Sequence, residues 1–83
     1  MNLQYPMLNA RVEWCQKMGK QTQLQEEREA WVAEEEGLRD ASLGRERTLL
    51  IRLCYPSQVD RYRLGFQDGQ VLLRSSQSAR VSI

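Results

Sequence analysis

The chain contains no histidine. That removes the usual general base, most zinc sites and every Ser/His or Cys/His catalytic pair. Cysteine is scarce too. Cys15 and Cys54 lie in apolar patterns with no activating group beside them, and both read as small, reduced core residues of a cytoplasmic protein. No apolar run approaches the roughly 20 residues of a membrane span. The start, MNLQYPMLNARVEW, lacks the basic end and long apolar stretch of a secretory signal. Glycine-rich phosphate loops, zinc-ligand spacings and nucleophile elbows are missing as well. Glu34, Glu35 and Glu36 are adjacent, so on a helix they point in different directions and read as a solvated face. Paired catalytic carboxylates need a cleft, which a domain of this size rarely has. These absences point away from an enzyme, and the sequence calls for no catalytic residues, no cofactor, no metal and no membrane.

What is present is a small globular composition. The 83 residues are 41% hydrophobic and 28% charged, which fits one domain spanning residues 1–83 and argues against disorder. A chain this short buries a limited core, and association is the usual supplement where disulfides and metals are lacking. The net charge of +1 hides an asymmetry. Residues 1–43 carry five basic and eight acidic side chains, whereas residues 44–83 carry seven arginines and three acids. Such a split bears on association, with itself or with a partner.

In the N-terminal part, residues 7–43, helical periods dominate. Met7, Leu8, Val12, Trp14, Cys15 and Met18 form an apolar stripe, opposite Asn9, Glu13, Gln16 and Lys17, so a helix is expected over about residues 7–18, with a strand as the competing reading. Gly19 to Thr22 break that stripe. Thr22 with Gln25 fits a capping box opening a second helix over about 23–42, with Glu26, Glu27 and Glu29 favoured near its N-terminus and Glu35–Arg39 as an i,i+4 pair. Gly37 or Gly44 ends it. Leu24, Trp31 and Leu38 recur every seven residues, a seam for self-association or for a partner helix.

The C-terminal part, residues 48–83, reads as sheet. TLLIRLCY, residues 48–55, is rich in strand formers and closes at Pro56. RYRLGFQDGQVLLR, residues 61–74, places Asp68-Gly69 between two alternating runs, a strong hairpin signal. In that register Tyr62, Leu64, Phe66, Val71 and Leu73 face inward, and Arg61, Arg63 and Arg74 face outward. Ala79, Val81 and Ile83 alternate as an edge strand would. The expectation is an α+β fold: one or two N-terminal helices on a three-stranded antiparallel meander, with a fourth strand open at the tail. Its outer face would carry Arg52, Arg61, Arg63, Arg74 and Arg80 as a partner-binding surface. The function this implies is a non-enzymatic protein-interaction module, an adaptor, regulator or inhibitor, acting through an acidic helix and an arginine face and forming a homodimer. Nucleic-acid binding by the same arginines is the second reading, disfavoured by the near-neutral total charge and the acidic helix.

Overall fold

The computed structural model describes the backbone of residues 5–81 and the side chains of residues 5–75. Within that span the order is α1 (Pro6–Gln21), α2 (Gln25–Leu43), α3 (Thr48–Cys54), a 3-10 turn (Pro56–Gln58) and α4 (Val59–Val81). No strand occurs among the described residues. The expected α+β sandwich is thus corrected to an all-helical bundle. Of the segments read as the antiparallel sheet, 48–54 and 61–74 are helical, so among the described residues no sheet face displays arginines. The tail strand is corrected as far as Val81, which ends α4; Ile83 lies outside the described residues.

The hairpin reading failed because glycine has two uses. It permits positive φ, and it permits close approach of two backbones. Gly69 serves the second: it is helical, and among the described residues only Gly44 has positive φ. Along α4, Tyr62, Gly65 and Gly69 are buried and Phe66, Leu72 and Leu73 are half-buried, a spacing of three and four. Leu64, expected inside, is 44% exposed.

Glycines bring α4 onto α2. A Cβ on Gly65 would overlap the Glu34 carbonyl, and one on Gly37 would overlap the backbone of Tyr62 and lie 2.6 Å from the Phe66 nitrogen. A Cβ on Gly69 would lie 2.6 Å from that of Ala41. Small residues four apart on each helix, Gly37 and Ala41 against Gly65 and Gly69, therefore let the two backbones touch. Gly65 lies against Glu34, and Gly69 against Leu38 and Ala41, so α2 and α4 run in the same direction. Residues 44–58 carry the chain back between them.

α1 runs antiparallel to α2, with Cys15 beside Glu34, Gln16 bonded to Glu35, and Gly19 against Trp31. It continues through Gly19 to Gln21, longer than expected; Gly19 is buried against α2, where an added Cβ would lie 3.5 Å from that of Trp31, an ordinary contact. Pro6 occupies the first turn, where its missing N–H costs nothing. The core is small: Leu8, Val12, Cys15 and Leu38, with Tyr5, Trp31 and Leu72 packed on it.

The expected capping box does not form. Leu24 is the N-cap of α2, Thr22 hydrogen-bonds Glu27 at 3.0 Å, and Gln25 donates to Glu29. At the other end Gly37 stays inside the helix and Gly44 ends it, at φ 64°. The Gly44 N–H donates to the Ala41 carbonyl and the Arg45 N–H to the Asp40 carbonyl, the pattern of a Schellman motif. The molecule is thin, 45 × 28 × 18 Å, about two helix diameters in its shortest direction. Among the described residues no helix is long and apolar enough to cross a membrane.

Candidate interaction surface

Two carboxylates organise the interior polar groups, and both lie on α2. Glu34 is 1% exposed. It falls on the same helix face as Gly37, Leu38 and Ala41, so its neighbours in sequence, Glu35 and Glu36, are no guide to it. Its carboxylate accepts from Arg61 of α4 at 2.6 Å, from Arg11 of α1 at 2.9 Å, and from the Cys15 thiol at 3.6 Å. Arg11 also reaches Asp68 of α4 at 3.0 Å. Burial pushes the Glu34 carboxyl up, and the guanidinium groups of Arg61 and Arg11 more than reverse this, holding it below the usual carboxylate range. Burial, then the Glu34 charge, push the Cys15 thiol up to about 12, so it stays protonated and unreactive.

Asp40, also 1% exposed, does the same work near the C-terminal end of α2. It accepts from Arg47 at 2.7 Å, from Arg45 at 3.1 Å and from the Tyr62 hydroxyl at 2.7 Å. The Tyr62 oxygen in turn accepts the Arg47 backbone N–H at 2.9 Å, at the start of α3. Arg47 also pairs with Glu36 at 2.6 Å. Burial raises the Asp40 carboxyl, and its hydrogen bonds from Arg47, Tyr62 and Arg45 outweigh that, so it too titrates low.

These contacts account for much of the charge asymmetry. Arg45, Arg47 and Arg61 of the basic half pair with Asp40, Glu36 and Glu34 of the acidic half. The polar split is largely answered inside the chain. Of the network residues, only Arg61 was assigned a binding role from the sequence. The available signal was that Glu34 shares the 34–37–38–41 face with the smallest residues of α2.

The five arginines assigned to one face do not share one. Arg61 is half-buried, bonded to Glu34 with its guanidinium 4.2 Å from the Trp31 ring centroid. Arg52 on α3 and Arg63 and Arg74 on α4 are exposed, and none makes an ion pair among the described residues. The side chain of Arg80 lies outside the described residues. The Leu24/Trp31/Leu38 seam is likewise dispersed: Leu38 is fully buried, Trp31 half-buried, and Leu24 is 63% exposed. Cys54, expected in the core, is exposed.

The outward feature that stands apart is α3. Of TLLIRLC only Ile51 is buried. Leu49 and Leu53, one turn apart, are 67% and 74% exposed, with Leu50 and Tyr55 exposed beside them. The helix is anchored from beneath by Ile51 and by the Tyr62–Arg47 bond, and from its start by Glu46, whose carboxylate accepts the Thr48 N–H at 2.7 Å. Across the molecule eleven large apolar side chains are exposed among the described residues, against seven buried hydrophobics.

Concavities are minor. Two open grooves of about 250 and 260 Å³ run along α1 and α2, below the roughly 300–1,000 Å³ of ligand pockets. Among the described residues no group of three His, Cys, Asp or Glu side chains could hold a metal ion. No protein-family profile, curated protein or solved structure matches the chain.

Proposed function

We propose that the chain is a small, non-enzymatic protein-interaction module of the cytoplasm, which offers an apolar surface for another protein chain to cover. The supporting observation is α3, a helix that turns two leucines away from its own core and is held in that orientation by buried hydrogen bonds. Isolated apolar residues at a surface are ordinary; several on one short helix mark an interaction site. Self-association through the seven-residue seam would need another surface, because Leu38 is inside the chain.

Hydroxyl-radical footprinting tests this reading without knowledge of the partner. Leu49, Leu53 and Tyr55 should label strongly in the isolated chain and be protected when the chain is labelled inside the cells that produce it. Equal labelling in both settings would leave α3 uncovered and refute the reading.

A further inference from the structure

The two buried carboxylates fasten different parts of the molecule to α2. Glu34 holds α1 and α4, through Arg11 and Arg61. Asp40 holds the crossover, residues 44–58, through Arg45 and Arg47, and meets α4 through the Tyr62 hydroxyl. That hydroxyl also takes the Arg47 N–H. Beyond these bonds and the Arg47–Glu36 pair, the crossover gives the interior one buried side chain, Ile51. We infer that residues 44–58 form a strap that opens as a unit while α1, α2 and α4 stay assembled, and that the Asp40–Tyr62 hub sets how often it opens.

The other three helices are joined without the strap. The glycine contacts of Gly37, Gly65 and Gly69, the Leu8/Val12/Cys15/Leu38 core and the Glu34 bonds all lie among α1, α2 and α4. The strap has no such independence. Its helix, α3, is seven residues long, and the Arg47 side chain makes no capping bond to its first turn. Isolated helices shorter than about 12 residues are marginal in water. Docking therefore orders α3, and its helix melts once Ile51 and Arg47 come away. Segments with few buried apolar contacts open first, and hydrogen bonds surrendered to water cost little net stability. The consequence for α3 rests on the interaction-module reading: Leu49 and Leu53 stand one turn apart only while the strap is shut, so the hub regulates that surface, and a partner that grips both leucines holds the strap closed.

Native-state hydrogen exchange of the whole chain, followed amide by amide at low urea concentrations, tests the strap. The amides of Ile51 and Tyr55, bonded to the Arg47 and Ile51 carbonyls, report on it; those of Leu38 and Gly69, inside α2 and α4, report on the bundle. In the parent the strap amides should be protected, yet exchange at least about tenfold faster than the bundle amides and with a shallower urea dependence, because less surface is exposed. Val12→Ala weakens a contact that survives strap opening. It should speed the bundle amides at least about tenfold and leave the strap amides unchanged. Tyr62→Phe removes bonds lost in both openings, so it should speed both sets by the same factor, about tenfold. A common rate and urea slope in the parent, or equal acceleration of both sets by Val12→Ala, would make the crossover part of one cooperative unit and overturn the inference. Strap amides exchanging like a free peptide, or unmoved by Tyr62→Phe, would overturn it too, since the hub would then hold nothing. Should Val12→Ala not fold, the two urea slopes of the parent decide. If exchange behaves as expected while the footprint finds α3 uncovered in cells, the strap stands and the interaction-module reading alone falls.

Discussion

The α2–α4 seam and the α3 crossover are built on opposite rules. The seam buries what is usually exposed: two carboxylates, a tyrosine hydroxyl and the backbone faces of Gly37, Gly65 and Gly69. The crossover exposes what is usually buried: Leu49, Leu50, Leu53 and Tyr55. In the seam each buried carboxylate has at least two charge-assisted hydrogen bonds, and that pairing, more than apolar area, sets which helix lies against which. Such groups contribute little net stability, because desolvation offsets attraction, but they make wrong arrangements costly. The crossover is fixed at its start by Arg45, Arg47 and Ile51, while Leu49 and Leu53 keep most of their surface outside the fold of the free chain. The seam holds the molecule together, and the crossover is what it presents.

The sharpest break of this contrast is a side chain at the glycine contact. Gly37→Val and Gly65→Val put atoms where backbone already stands, and helix backbone cannot yield as a side chain can. Neither variant should retain a cooperative unfolding transition in urea followed by circular dichroism, a loss exceeding about 5 kcal/mol. Gly44→Ala, by contrast, meets nothing within 4 Å and is strained only by its φ of 64°. It should cost about 1 kcal/mol. Similar losses at Gly37 and Gly44 would mean that α2 and α4 do not touch.

Removing the Glu34 carboxylate is next in size. Glu34→Ala leaves Arg61 and Arg11 facing a buried void and should cost about 3–5 kcal/mol. Glu35→Ala, one residue on, loses only the exposed i,i+4 pair with Arg39 and should cost roughly 0.3–0.5 kcal/mol. The pH dependence follows from the same groups. Glu34 and Asp40 titrate lower in the folded chain than in the unfolded one, where carboxyls ionise near pH 4. At acid pH the unfolded chain therefore binds more protons, and stability falls as pH falls. The melting temperature should hold between pH 7 and about 5 and drop below about 4. Glu34→Gln should flatten that drop. An acid limb as steep in Glu34→Gln as in the parent would mean that Glu34 does not carry it.

The N-terminal helices were legible because their apolar residues recur at helical spacing over three or more turns, and Pro6, the first-turn glutamates and Gly44 sit where helix ends want them. The C-terminal half was not. TLLIRLC is seven residues, too short for period to separate helix from strand, and it is helical because Ile51 and the Arg47–Tyr62 bond anchor it from the tertiary side. Residues 61–74 fit both periods. The alternating period wins when only large apolar side chains are counted, and the helical one wins once glycine is counted as an inward-facing residue. Glu34 was misread for a related reason. Its burial depends on Arg11 and Arg61, 23 and 27 residues away, and no local pattern carries that distance. The position of Arg52 and Arg63 outside the ion-pair network was invisible for the same reason, since it follows from which carboxylates the other arginines occupy.

The smallest expected effect is the one that most sharpens the contrast. Leu→Asp inside a core is ruinous, because it buries an unpaired charge. In Leu49→Asp/Leu53→Asp the new carboxylates would stand in water, one helical turn apart and close to Arg52. Each substitution loses little burial, since two-thirds or more of the leucine is already exposed. The carboxylate at position 49 would also lie in the first turn of α3, where a negative charge is favourable to the helix dipole. The double variant should therefore keep the parent's stability within about 0.5 kcal/mol and gain solubility at high concentration. A loss above about 2 kcal/mol would show that the leucines are covered within the free chain, and that α3 belongs to the fold and not to its outer surface.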